Sequence, residues 1–325
     1  MTLTRRTLMA TAAAAAVAPV GLAAVDTARA AAPMLGKQVP SIYRFKLGEF
    51  EVTVFSDGAL KAAKPDTIIV NQPFAEVQKA LEAAHLPKDQ IVNVFTPFVV
   101  NTGKQVILFD TGFSDNGPPG VGGLAANMAA AGIDPKAIDV VIISHFHPDH
   151  IAGLRSKAGA AVYPNAEIMV PAGEWAFWND EGEASKAADV WKATFMHTKR
   201  VFGPIAKDVK RYESGKELVT GVTSVDARGH SPGHSSLMIA SGNAKLFYIA
   251  DATSHPVLNA RNPEWHLWAD MDKAMAVGTR KRLLDMAATE RTPILGYHYP
   301  FPALGYIERR GTGYDFVAAA WQPVL

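Results

Sequence analysis

The residues best suited to chemistry fall in one short run, His145-Phe146-His147-Pro148-Asp149-His150. Three of the chain's 10 histidines stand within it, directly after Val140-Val141-Ile142-Ile143-Ser144, a run fit for a buried strand. Just past a strand end, residues 145 and 147 project to the same side, so their imidazoles can converge on one metal ion. Pro148 ends the extended run, and the turn that follows presents Asp149 and His150 as a second pair. A surface turn that merely clusters histidines is the bland alternative, and the concentration behind a buried strand counts against it. The chain has no cysteine. Disulfides, thiolate sites and cysteine nucleophiles are therefore excluded, and a metal would take nitrogen and oxygen ligands.

A second cluster, Gly229-His230-Ser231-Pro232-Gly233-His234-Ser235, follows the strand-like Val222 to Asp226. It contains Gly-x-Ser-x-Gly, the pattern of a serine-hydrolase elbow, in which the N–H after the serine builds the oxyanion hole. That residue here is Pro232, which has no N–H, so the serine reading fails on its own mechanics. His230, presented in a rigid turn, reads as a ligand, and His234 as a residue packing or hydrogen-bonding behind it. Asp251 closes the apolar run Leu246 to Ala250, and His298 follows Ile294-Leu295-Gly296-Tyr297. Alone, Asp251 reads equally as a helix N-cap and His298 as a structural histidine. The recurrence decides: four strand ends each deliver His or Asp into a turn. Seven such ligands exceed the four that one tetrahedral zinc takes, which predicts two ions.

The elements around these residues read as an irregular alternation. Tyr43 to Ser56 reads as a strand pair turning at Gly48. Phe95 to Asn101 and Gln105 to Asp110 read as strands around a turn at residues 102–104. Further strands are expected at Glu167 to Val170, Val222 to Asp226, Ser236 to Ala240 and Leu246 to Ala250. Helices are expected at Phe74 to His85, Val121 to Gly132, Ala172 to Asn179, Ala184 to Phe202 and Asp272 to Thr289. Hairpins mixed with crossovers argue for a layered α/β domain and against a simple doubly wound sheet. The aromatics of Trp175-Ala176-Phe177-Trp178 and Trp265-His266-Leu267-Trp268 are core residues or walls of an apolar pocket; spacing leaves both open.

The first 30 residues read as a signal rather than as fold. Arg5-Arg6 precedes an alanine-rich apolar run to about Val25, and Ala28-Arg29-Ala30 supplies a small-x-small cleavage site. Pro19 and Gly21 interrupt the run and no stop-transfer pattern follows, which disfavours a retained membrane anchor. Thr4-Arg5-Arg6-Thr7-Leu8-Met9 resembles a twin-arginine export signal, implying the twin-arginine machinery as a partner and a periplasmic or secreted destination. Cleavage after Ala30 removes three of 32 basic and one of 31 acidic residues, leaving 29 and 30. That balance, with no basic run, gives no footprint for nucleic acid or membrane and points to a small neutral substrate. The remaining residues 31–325 are expected as one domain, with a homodimer as the open alternative to a monomer.

His145-x-His147-x-Asp149-His150 with His230, Asp251 and His298 in that order resembles the ligand set of the metallo-β-lactamase-fold hydrolases, from about Tyr43 to the C-terminus. Within that group the chain is most similar to secreted methyl parathion hydrolase-like enzymes and their lactonase relatives. Leu47-Gly48-x-Phe50-Glu51, Val100-Asn101-Thr102-Gly103, Asp110-Thr111-Gly112 and His298-x-Pro300-Phe301-Pro302-x-Leu304-Gly305 carry this likeness, with Gly311-x-Gly313-Tyr314-x-Phe316-Val317. The resemblance implies an α/β fold, a four-layer αββα sandwich. It implies one ion on His145, His147 and His230, the other on Asp149, His150 and His298, and Asp251 bridging. Asp110 would orient a ligand from behind. Zinc is the expected metal, with Mn2+, Fe2+ or Co2+ as alternatives.

Such a pair would activate a bridging hydroxide toward esters, lactones or phosphotriesters. Asp149 and Asp251 are the catalytic candidates, as proton carriers to the leaving group. Zinc β-lactamases of the best-known class have a cysteine where Asp251 stands, which disfavours antibiotic hydrolysis. Segment Ser254 to Leu258 departs from the methyl parathion enzymes, so their substrate preference need not transfer. Two other classes stay in view: a non-catalytic metal-binding protein and an iron-dependent redox enzyme on this fold. Redox di-iron relatives carry an acid at the position of His147, which counts against the second.

Overall fold

The computed structural model describes residues 34–36, 38–62 and 64–325, so the segment read as a signal lies outside the described residues. Val39–Leu325 forms one compact unit. Two seven-stranded mixed sheets make up its centre. The first runs Ile42–Leu47, Phe50–Phe55, Phe98–Asn101, Val106–Phe109, Val140–Ile142, Glu167–Pro171, Lys210–Tyr212 in spatial order. The second runs Glu217–Val219, Val222–Asp226, Ser235–Ser241, Ala244–Tyr248, Ile294–Leu295, Leu304–Arg310, Gly313–Ala318. Spatial order follows chain order in both, so the first half of the compact unit builds one sheet and the second half the other.

Side-chain alternation assigns the layers. Ile107, Phe109, Val140 and Ile142 of the first sheet meet Leu237, Ile239, Leu246, Tyr248 and Leu295 of the second in a buried seam. The intervening Leu108 and Val141 turn outward onto Leu124, Met128, Phe195 and Phe202, residues of helices Leu124–Ala130 and Asp189–Phe202. Phe247 and Ile294 turn the other way, onto Leu283, Leu284 and Ala287 of helix Lys273–Glu290. The result is helix, sheet, sheet, helix: the four-layer αββα sandwich that the resemblance implies.

Several elements differ from the expectation. The stretch Phe95 to Asn101 is two strands, Val92–Phe95 and Phe98–Asn101, because Pro97 cannot donate to a ladder. The first of these pairs with Gly58–Lys61 as a separate hairpin. The expected helix from 184 to 202 is two, Glu181–Lys186 and Asp189–Phe202, parted by extended Ala187 and Ala188. The apolar run to Ala250 leaves the sheet at Tyr248, and Asp251 sits in the 3-10 turn Ala250–Ala252. Strands Lys210–Tyr212, Leu304–Arg310 and Gly313–Ala318 are not evident from pattern, being charged or edge-like. Among the described residues, no helix is long and apolar enough to cross a membrane.

Candidate metal centre

The strands Val140–Ile142, Val222–Asp226, Ala244–Tyr248 and Ile294–Leu295 end on the same rim of the sandwich, and the turns beyond them carry the seven predicted residues. His145, His147, His150, His230, Asp251 and His298 are all buried, while Asp149 keeps 17% of its side chain exposed. His147 caps the short helix Pro148–Ile151, whose first turn positions Asp149 and His150. The chain is held in a left-handed conformation at Asp110 (φ 52°) and Ala250 (φ 47°). Such strain at non-glycine residues persists where neighbouring contacts over-determine the backbone.

The seven donors converge in three groups that overlap at His145 and His150. His145, His147 and His230 form one; Asp149, His150 and His298 form another; Asp251 joins His145 and His150 in a third. Asp251 Oδ1 lies 3.4 Å from His150 Nε2, while Oδ2 lies 2.9 Å from His298 Nε2 and 3.4 Å from His230 Nε2. Asp149 Oδ2 is 3.3 Å from His150 Nε2 and 3.4 Å from His298 Nε2. Ligands about 2.0–2.2 Å from a tetrahedral zinc lie roughly 3.3–3.6 Å from one another. The spacing therefore fits ions between these atoms. Nε2 of His145 and His150 and Oδ1 of Asp251 are buried without a hydrogen-bond partner, a costly state that a cation would relieve.

The electrostatics divide the donors. Burial, with His150, His147 and other imidazoles crowded around it, pushes His145 well below the ordinary histidine range. His147 is lowered in the same way, by burial and then by His230. Burial would push the Asp251 carboxyl up, but His298 and His150 outweigh it and hold it well below the usual carboxylate range. His150 is raised well above its ordinary value: burial opposes this, and Asp149, Asp110 and Asp251 override it. His145 and His147 unprotonated and Asp251 ionised are in the form that coordinates metal, whereas His150 would have to give up a proton to an incoming ion.

Behind the donors stands a layer of buried acceptors. Asp110 accepts from Ser144 N–H (2.8 Å), Ser144 Oγ (2.7 Å), His150 Nδ1 (2.8 Å) and the Tyr248 hydroxyl (2.5 Å). Asp270 accepts from His230 Nδ1 (3.0 Å) and is paired with the buried Arg280 at 2.7 Å. His298 Nδ1 donates to the Val94 carbonyl at 2.8 Å. Glu174 accepts four hydrogen bonds. Phe146 N–H (2.9 Å) and Trp178 Nε1 (2.8 Å) reach one oxygen, Ser231 Oγ (2.6 Å) and Gly233 N–H (2.6 Å) the other. It ties the His145–His147 loop to the His230 turn. The approach requires glycine, since a Cβ on Gly233 would lie 2.1 Å from Glu174 N. Ser231 thus spends its hydroxyl on Glu174. His234 donates Nδ1 to the Ala227 carbonyl (2.9 Å) and accepts the Asp251 N–H at Nε2 (3.1 Å), so it stands behind the site.

A cavity of about 480 Å³ opens onto the cluster. Leu60, Ile68, Ile91, Leu258, Leu267, Trp191 and Trp268 line it, with Lys61 and His255 among its polar groups. Of the two aromatic segments, the one at 175–178 is core: Trp178 is fully buried and Trp175 and Phe177 pack beside it. The other supplies Leu267 and Trp268 to the cavity wall. Glu174, Asp270 and Trp191 are the site residues that sequence reasoning misses. An acid on the aromatic face of helix Ala172–Trp178 is the one hint available for Glu174.

Residues 96–296 match the family model described as the metallo-beta-lactamase superfamily. An N-acyl homoserine lactonase from a Bacillus species is 25% identical over 171 residues, 53% of this chain. The match spans 60% of that protein's length, less than two thirds. Among solved structures, AidC, a dizinc quorum-quenching lactonase in complex with the product N-hexanoyl-L-homoserine, is similar at a TM-score of 0.83 and 26% identity. The likeness covers 88% of this chain and 100% of that one. The hydrolase AbOPH of the beta lactamase superfamily is similar at 0.82 and 26%, with the same coverage.

Two predictions follow from the acceptor layer. In Glu174→Gln one end of the amide cannot accept, leaving two buried donors unsatisfied. Denaturant unfolding should show a loss of about 2–5 kcal/mol, and elemental analysis a lower metal content at equal loading. The second concerns acid. Burial, then His230, lowers His234 to about 3 from its ordinary 6.5. Between those values the unfolded chain binds the proton and the folded chain does not, so stability falls as pH falls from about 6.5 toward 3. Metal-free His234→Gln, unfolded in urea at a series of pH values, should show a shallower slope over that window than the metal-free parent.

Proposed function

Because the chain belongs to the metallo-β-lactamase superfamily, we propose that it is a dinuclear-metal hydrolase acting on small neutral esters, above all lactones with an apolar substituent. The observation that carries this is an apolar cavity of about 480 Å³ whose floor is the His/Asp cluster. In this reading His145, His147 and His230 would hold one ion and Asp149, His150 and His298 the other, with Asp251 shared between them. When bound, such ions supply a nucleophile from water at neutral pH and a Lewis acid for the substrate oxygen. Zinc is the expected metal, supported by the likeness to the dizinc lactonase.

The chain's own groups do the rest. The cavity walls take the apolar body of the substrate and exclude water, which strengthens the electrostatics at the reacting end. Asp251, 5% exposed with both oxygens facing imidazoles, is a holding group. Asp149 turns Oδ2 to His150 and His298 and keeps part of its side chain open to the cavity. Its Oδ1 is therefore the better placed carrier of the proton to the departing alkoxide. Two relatives described as lactonases support a lactone substrate. Aryl esters and phosphotriesters with good leaving groups are expected to react too, since any activated hydroxide attacks them.

The test is turnover by purified, metal-loaded protein on N-hexanoyl homoserine lactone, an aryl acetate and a phosphotriester. Asp251→Ala and His230→Ala should abolish activity and lose metal, whereas Ser231→Ala keeps most activity. Chelation should abolish it and zinc, manganese or cobalt restore it. A replete enzyme that ignores all three substrates yet cleaves phosphodiesters or thioesters would sink the substrate reading.

We also infer that residues 1–30 direct export of the folded protein through the twin-arginine route, on the strength of Arg5-Arg6 and Ala28-Arg29-Ala30. Replacing both arginines with lysine should trap precursor in the cytoplasm, seen by fractionation. Unimpaired export of that variant would mean the general secretory route.

A further inference from the structure

Five imidazoles face the centre, and four are oriented by a hydrogen bond from the nitrogen turned away from it. His150 uses Asp110, His230 uses Asp270 and His298 uses the Val94 carbonyl. His145 Nδ1 lies 3.1 Å from Ser144 Oγ, whose proton is already given to Asp110, so the hydroxyl accepts. His147 differs. Its Nδ1 faces His230 Nε2 at 2.9 Å, and its own Nε2 is buried without a hydrogen-bond partner.

Indole rings pack against this imidazole instead. Trp191 stacks on the His147 ring with centroids 5.3 Å apart and planes within 5°. Trp178 meets the same ring at 6.3 Å and 69°. Trp268 stacks on Trp191 in turn, at 6.0 Å and 9°, and is itself 43% exposed. A row of parallel rings therefore runs from a candidate ligand to solvent. A carboxylate or carbonyl behind an imidazole fixes its orientation and also raises the basicity of the coordinating nitrogen. A stacked indole can fix the orientation but supplies no such charge.

We propose that Trp191 is the positioning residue of His147, and that the ion on His145, His147 and His230 is the more weakly held of the two. The proposal rests on the ligand assignment made under Proposed function. The other ion gains Asp149, a charged ligand, and two imidazoles anchored on Asp110 and on a carbonyl.

The experiment is graded dialysis of zinc-loaded and cobalt(II)-loaded protein against a chelator, read by elemental analysis and by the cobalt absorption bands. Wild type should lose its ions in two steps. Trp191→Leu should shift the first step to about tenfold lower chelator and alter the bands of the ion lost first, leaving the second step unmoved. Trp191→Phe, which keeps a stacking ring, should stay near wild type. His147→Ala should bind one ion and release it at the wild type's second step.

The outcomes separate. Two ions retained by His147→Ala would overturn the ligand assignment itself. One ion in His147→Ala, together with wild-type release from Trp191→Leu, would overturn the role of Trp191 and leave the assignment standing. Should Trp191→Leu fail to fold, His147→Ala decides the order of affinities: departure of its remaining ion at the wild type's first step overturns the proposal.

Discussion

Asp110 is the group on which the arrangement depends. It ends a strand of the first sheet, accepts the hydroxyl of Tyr248 from the second, and accepts both N–H and hydroxyl of Ser144, which precedes the histidine run. One buried carboxylate thus clasps the two sheets together at the rim and aims two imidazoles, His150 directly and His145 through Ser144. The left-handed backbone at this residue is tolerated because four donors hold the side chain from different elements. Loosen this clasp, and the distance between ligand groups contributed by different sheets is no longer defined.

The same logic explains why so many polar groups can be buried here. Three carboxyl groups without partners would be costly in a low-dielectric interior; Asp110, Glu174 and Asp270 stay because each is saturated with donors or paired with Arg280. The seven groups in front of them are different. Their coordinating atoms point at one another, several without partners, and that arrangement becomes favourable with cations between them. Scaffold and centre are thereby distinguished by how their polar atoms are satisfied.

Legibility in the sequence followed the range over which each residue's role is decided. His145, His147, His150, His230, Asp251 and His298 stand just beyond apolar runs, so local pattern alone sets their place at strand ends. The sandwich is legible for the same reason, in its central strands. Edge strands such as Leu304–Arg310 carry Glu308, Arg309 and Arg310 and look like loop. Glu174 and Asp270 resemble ordinary surface acids, because the partners that bury them lie 57 and 40 residues away. Trp191 sits on a helix whose aromatics could belong to any core. Its meaning comes from a ring 44 positions earlier, which no periodicity in the sequence reveals.

The segregation of the two sheets along the chain has a consequence for how the protein is made. The first four donors, residues 145–150, belong to the half synthesised first, and His230, Asp251 and His298 to the half that follows. A ribosome that has released only the first sheet has displayed three imidazoles and one carboxylate with nothing opposite them. Each remaining donor arrives with a later piece of the second sheet, the last of them only 27 residues from the C-terminus. Closure of the donor set therefore waits on translation past residue 298: a chain cut short before it lacks one donor and the last two strands of the second sheet.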